Sequence, residues 1–420
     1  MRFIHAADIH LDSPLVGLSA YEDAPTEMLR TATREAFVNL VSAAIDEEVD
    51  FMVIAGDLYD GNWKDYNTGL FFVAQMGRLK RAGIPVYLLH GNHDAESEMT
   101  RKLLLPDNVH VFDARKPCSY LLDRPGVALH GRSFKVAATT ENLAAAYPDP
   151  VPGMFNIGVL HTALEGNAAH ATYAPCSLAE LQAKGYQYWA LGHVHEYTVH
   201  AIGDALAVFP GNLQGRNIRE TGPKGAVLVT VDDAGRPEVE RLLVDVLRWQ
   251  RLEVDVGACA SFEQAVRAIG AELERLNGAS PSDHPLALRV EVVGRSEAHG
   301  QLFGLERRLR EEVLAQLAAL GHDRLWLEKV KLATAPPARR QAPSGDHAEA
   351  LSELRNMIAE AHTDEAFVAG LRAALMGLVA KAPHELQDEV EWFRDIRAGD
   401  VSGLLREVAP GLMAQLDAEE

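Results

Sequence analysis

Short apolar runs recur through the first 245 residues, separated by helix-like segments. They fall at 2–6, 51–55, 85–89, 127–130, 156–160, 188–191, 205–209 and 226–231. This alternation predicts an α/β domain. Several runs stop abruptly at a cluster of Gly, Asp, Asn or His, and ligands in α/β folds gather outside the carboxyl ends of strands. A second unit is expected from Trp249 onward. There LEVDVG, LALRVEVVG and LWLEKVKL read as strands, and 261–276 and 304–320 as helices, so a small separate α/β domain is predicted. TAPPARRQAPSGDH (334–347) has the composition of a linker. Beyond it 348–420 reads helical, with Leu351, Leu354, Ile358 and Ala361 at helical spacing. The expected division is therefore 1–246, 247–333, 334–347 and 348–420.

The breaks at the strand ends carry the candidate chemistry. Asp8-Ile9-His10 follows the first run, and Gly56-Asp57 within AGDLYD the second. LLHGNHDAE supplies Asn92, His93 and Asp94 after the third; GVLHTAL supplies His161, and LGHVHE supplies His193 and His195. Residues two apart on an extended chain face the same side, so Asp8 with His10, and His193 with His195, are expected to converge. A single Gly-Asp or strand-end His is an ordinary turn signal. Five such breaks, all offering N or O donors, point to metal binding. With imidazoles, carboxylates and one amide but no thiolate, the set suits manganese, iron or zinc and does not suit a structural zinc site. Seven donors exceed the needs of one ion and suit two sharing a carboxylate. Two ions roughly 3.5–4 Å apart can generate a hydroxide and clamp a phosphoryl group.

Composition changes this picture little. At 47% hydrophobic and 24% charged, the chain is of ordinary globular type. No run approaches the length of a membrane span. The start MRFIHAADIH lacks signal-peptide character. Cys118, Cys176 and Cys259, an odd number without CxxC spacing, favour reduced thiols. A cytoplasmic protein without membrane contact is expected. The net charge of −20 argues by itself against nucleic acid. However, 347–420 holds 15 acidic against 6 basic residues, so the global value says little about the rest.

The ordered set DIH, GDLYD, GNHD, His161 and GHVH resembles the calcineurin-like metallophosphoesterase superfamily across residues 1–245. That resemblance implies a two-sheet αββα sandwich binding two divalent ions, most often manganese, with iron or zinc as alternatives. By position it implies Asp8, His10 and His195 on one ion, Asn92, His161 and His193 on the other, and Asp57 bridging both. It gives His93 the role of assisting the leaving group and Asp94 that of orienting it. RFIHAADIHLDSPL and FPGNLQGRNIRETGPKG (209–225) are similar to the bacterial DNA-repair exonucleases, SbcD-like and above all YhaO-type. This implies hydrolysis of phosphodiesters at duplex DNA ends, a capping role for the small α/β domain, homodimerisation and an SMC-like coiled-coil ATPase partner for the C-terminal helices.

Arg216, Arg219 and Lys224, on the Gly-rich stretch after GHVH, are candidates to meet the phosphate backbone or to pin their own loop. Lys329, Lys331, Arg339 and Arg340 form a second basic group. Asp60 stands where archaeal and eukaryotic relatives carry a histidine that seats DNA. It is kept as a candidate substrate contact without that histidine's role. Two other readings stay open: a small-molecule phosphodiesterase or nucleotidase, and a non-catalytic DNA-end scaffold. The GNHD block disfavours a Ser/Thr protein phosphatase, which usually carries GNHE.

Overall fold

The computed structural model describes the chain apart from residues 16–17, 19–25, 61–65, 97–102, 165–172, 280–283, 322–323, 338–352, 355, 359, 382–390, 406–407, 410 and 413–420. Arg339, Arg340 and most of the expected linker lie outside the described residues. The chain divides into two compact units, Met1–Gln250 with His284–Leu286, and Arg251–Asp283 with Ala287–Glu420.

The first unit is a sandwich of two six-stranded sheets. One runs β12(Pro237–Leu243)-β11(Gly225–Val231)-β1(Arg2–Ala6)-β2(Phe51–Ala55)-β3(Val86–Leu89)-β4(Val109–Val111). The other runs β5(Cys118–Leu122)-β6(Val127–Gly131)-β7(Phe155–His161)-β8(Tyr188–Gly192)-β10(Ala205–Phe209)-β9(Thr198–Ile202). β1, β2, β3 and β4 pair in parallel, as do β6, β7, β8 and β10. The carboxyl ends within each parallel set therefore share one edge.

Strand alternation builds the layers. Phe3, Phe51, Val53, Leu129, Ile157, Tyr188 and Ala190 fill the space between the sheets. Ile4, Met52 and Ile54 turn outward against α1 (Thr26–Asp46) and α2 (Tyr66–Arg81), which contribute Phe37, Leu40, Phe72 and Met76. On the far face Leu160, Trp189, Leu191 and Ala207 pack with Leu181 of α4 (Leu178–Ala183) and with Phe134 and Tyr147. Strands covered on both faces read as unbroken apolar runs, which is why these strands are visible in the sequence. His5 is among the polar residues that bridge the two sheets. His5 Nε2–H donates to the Leu191 carbonyl (3.1 Å), and its Nδ1 accepts from the Tyr188 hydroxyl (3.0 Å).

The second unit carries the three-stranded sheet β13(Arg248–Asp255)-β14(Leu286–Arg295)-β15(Leu325–Ala335). α5 (Phe262–Ala279) turns Phe262, Ala265, Ile269 and Leu273 inward, and α7 (Glu306–Leu320) turns in Leu309, Val313 and Leu317. The short α6 (His299–Gly304) precedes α7. Lys329 and Lys331 alternate on the exposed face of β15. Farther on, α8 (Glu365–Val379) and α9 (Glu391–Ala398) share a small core of Val379, Phe393, Ile396 and Val401. No described helix is long and apolar enough to cross a membrane.

Candidate metal centre

The expected donors leave their strands by abrupt backbone turns. Asp8, His10, Asp57 and His193 all adopt left-handed conformations, with φ of 50°, 46°, 49° and 100°. Such conformations cost on the order of 1–3 kcal/mol each and persist where surrounding bonds over-determine them. Here Asp8 N donates to Gly56 O (3.0 Å) and His10 N to Asp57 O (3.1 Å), extending the β1–β2 pairing past the sheet. The His193 amide donates to both oxygens of Asp8 (3.1 and 3.0 Å). Two glycines permit the close approach of the strand ends. A Cβ on Gly192 would stand 2.1 Å from Ala55 O, and one on Gly56, where φ is 103°, 2.4 Å from His161 Nδ1.

These turns bring the donors into adjoining groups. Asp8, His10 and His195 form one; Asp57, His161 and His193 form another; His10, Asp60 and His93 form a third. His193 and His195 thus diverge into different groups, while Val194 between them is buried in the outer apolar layer. Asn92 Oδ1 lies 2.9 Å from His161 Nε2, and Asp57 Oδ2 lies 3.3 Å from the same nitrogen.

Proton bookkeeping shows what this arrangement lacks. His161 Nδ1–H donates to Ala55 O (3.0 Å), which only accepts, so in the neutral ring Nε2 carries a lone pair that faces two oxygen acceptors. His195 Nδ1–H likewise donates to Glu220 (2.8 Å), and its Nε2 lies 3.2 Å from His10 Nε2 and 3.9 Å from Asp8. The remaining nitrogen of His10 stands 3.5 Å from Asp60. Lone pairs therefore converge at both places, and buried acceptors facing one another require a cation. The donor set fits divalent ions of the manganese, iron or zinc type.

Without an ion, a proton takes the cation's place at His161. Burial works to lower the His161 pKa, but the charge and hydrogen bond of Asp57, with the Asp8 charge and the bond to Ala55, together raise the imidazole to about 9. Burial, aided by the Arg216 charge, pushes His10 down to about 3, leaving it a neutral donor. Burial raises Asp8, whereas Asp57, despite its burial, is held well below the usual carboxylate range by His161.

The sequence profile of calcineurin-like phosphoesterases matches residues 1–197, and that of the YhaO metallophosphoesterase middle domain matches 249–335. The uncharacterized metallophosphoesterase YhaO of Bacillus subtilis is 36% identical over 297 residues, covering 70% of this chain and 72% of its own. The chain belongs to the calcineurin-like metallophosphoesterase family. The DNA double-strand break repair protein Mre11 of Sulfurisphaera tokodaii is 22% identical over 67% of this chain and 72% of its own. Among solved structures, a 5′-nucleotidase-like protein of Staphylococcus aureus aligns over 58% of this chain and 54% of its own at 14% identity. Its TM-score of 0.33 is too low to bear on activity.

Within this metallophosphoesterase two of the expected acidic residues have defined partners. The Asp94 carboxylate, on the short α3 (Asn92–Glu96), accepts from the amides of Leu58 (3.2 Å), Tyr59 (3.0 Å) and Gly91 (3.0 Å), so it ties the Asp57 loop to the start of that helix. The carboxylate at His93 Nδ1 is that of Asp60, at 3.2 Å. Asp60 also accepts from Ser13 Oγ (2.8 Å) and lies 3.8 Å from Arg216. Asp60 therefore faces the site's own side chains. Although burial opposes it, Asp60 raises His93 to about 9.

The cations after GHVH separate in the same way. Arg216 is partly buried and pairs with Glu220 (3.2 Å), and Lys224 Nζ donates to His195 O (2.9 Å). Arg219 is exposed. Sequence reasoning passed over Glu220; the one signal available was a single carboxylate among the cations of that stretch.

Proposed function

We propose that this metallophosphoesterase is a two-metal DNA nuclease, an exonuclease that hydrolyses phosphodiesters at duplex ends with manganese. The observation carrying the reading is the pair of facing donor groups, Asp8–His10–His195 and Asp57–His161–His193, with a protonated imidazole, His93, beside them. When bound, the ions supply Lewis acidity and a nucleophilic hydroxide near neutral pH. Asp57 would be the carboxylate shared by the two ions; its Oδ1 accepts from the His93 amide (3.0 Å) and its Oδ2 faces His161. Asn92, whose Oδ1 lies 2.9 Å from His161 Nε2, would complete the second group. His93 holds a proton through Asp60 at Nδ1, so Nε2–H is the donor offered to the leaving oxygen. Asp94 fixes the turn from which His93 projects.

DNA as substrate is supported by the Mre11 relatives, named for double-strand break repair. The match of 249–335 supports a capping role for the small α/β domain, where Lys329 and Lys331 offer a cationic face. By the same reading the protein forms a homodimer and engages an SMC-like coiled-coil ATPase. Phe367, Met376 and Leu378, exposed on α8, provide apolar contact area for that ATPase.

The test is manganese-loaded protein on end-labelled linear duplex, circular duplex, single-stranded DNA and cyclic mononucleotides. Release of nucleotides from linear ends is expected. Turnover of cyclic mononucleotides without DNA cleavage would replace this reading with the small-molecule one. Binding of ends without any hydrolysis would leave a scaffold. His93→Leu is expected to abolish hydrolysis while retaining both ions.

A further inference from the structure

We infer that Glu220 is the positioning residue for His195. Its carboxylate fixes the tautomer and heading with which that imidazole serves one ion, an inference that rests on the two-ion reading above. The 211–225 stretch returns to the metal centre and grips this one histidine at both ends. Glu220 Oε1 accepts from His195 Nδ1–H at 2.8 Å, while Lys224 Nζ (2.9 Å) and the Asn212 amide (3.4 Å) donate to the His195 carbonyl.

Glu220 is itself held on both oxygens. Oε2 accepts from the Arg216 amide (2.7 Å) and Asn212 Nδ2 (2.9 Å), and Oε1 accepts also from the Arg216 guanidinium (3.2 Å). With its side chain 11% exposed, it is a built-in group and not a surface charge. Of the two roles open to Arg216 and Lys224, phosphate contact or pinning their own loop, these contacts with the protein's own carboxylate and backbone favour the second.

The chemistry follows from donors and acceptors. A carboxylate only accepts, so it places the proton on Nδ1 and leaves the Nε2 lone pair aimed toward His10 and Asp8. A metal-ligating histidine needs this outer partner, and losing such partners typically costs about 10–100-fold in metal affinity or activity. Glutamine at 220 can turn its NH2 toward Nδ1 and select the opposite tautomer, which puts a proton where the ion should sit.

Two readouts test this without activity. The first is calorimetric titration of metal-free full-length protein with manganese alone. Wild type is expected to take two equivalents. Glu220→Gln should weaken one of them by about 10–100-fold and leave the other in place. The second is the His195 tautomer in metal-free protein, read by long-range 1H–15N correlation: Nδ1–H in wild type, shifted toward Nε2–H in the variant. Should Glu220→Gln fail to fold, Glu220→Asp carries both measurements, since it keeps the charge but withdraws it from Nδ1. Unchanged affinities together with an unchanged tautomer overturn the inference. If wild type takes up no manganese, the two-ion reading falls, and the tautomer comparison still decides what Glu220 does.

Discussion

Replacing His5 tests how the two sheets are joined beneath the centre. The ring is fully buried, with both nitrogens committed to Tyr188 and Leu191, two residues before His193. Burial lowers its pKa from 6.5 to about 3, with the bond to Leu191 opposing. The sign follows from linkage. Above about pH 6.5 the ring is neutral in both folded and unfolded chains, so its contribution is fully present. Below that, the unfolded chain takes a proton that the folded chain refuses. Stability then falls by about 1.4 kcal/mol per pH unit until about pH 3, a total on the order of 5 kcal/mol. His5→Gln keeps a donor for Leu191 O and removes the titration. Urea melts of both proteins, in chelator to keep metal-linked protons out, should show the wild-type advantage shrinking by about 2–3 kcal/mol between pH 6.5 and 4.5. The second unit is identical in both chains and cancels. Parallel pH profiles would show that this histidine is not held neutral, and the reasoning would fail.

Asp60→Asn should leave metal content unchanged but move the alkaline limb of hydrolysis from near 9 toward the ordinary histidine range. His93 must be protonated to donate, so at pH 8 turnover should drop by roughly 10–30-fold; an unmoved limb would remove Asp60 from this role. Gly56→Ala forces a Cβ into the left-handed region at 2.4 Å from His161 Nδ1. About 1–2 kcal/mol of strain and displacement of the ring should follow, seen as a lower melting temperature and loss of manganese. Each ion held at 100 times its Kd should add about 2.7 kcal/mol, so chelation should lower the melting temperature by roughly 5–10 °C per ion. A chelator-insensitive melt would contradict a metal centre here.

The eight apolar runs visible in the sequence are the interior strands of the two sheets. The four strands absent from that reading, Val109–Val111, Cys118–Leu122, Thr198–Ile202 and Pro237–Leu243, are the four sheet edges. Edge strands carry a polar, half-exposed face, and their burial alternates, as in Thr198–Ile202 and Pro237–Leu243. Apolar runs therefore cannot reveal them. The donor types and their strand-end positions were legible because they interrupt apolar runs. Their directions were not. Left-handed turns at Asp8, His10, Asp57 and His193 re-aim the side chains after the strand periodicity has ended. Nor do apolar runs show that Asp60 stands against His93 while Asp94 binds the backbone. Glu220 was hidden because its partner is 25 residues away in sequence.

The central claim, that two strand-end groups hold two ions across Asp57, meets its most direct test in anomalous scattering from manganese-soaked crystals. The account predicts two peaks roughly 3.5–4 Å apart, one among Asp8, His10 and His195 and one among Asn92, His161 and His193. A single peak, or none within reach of Asp57, would contradict it.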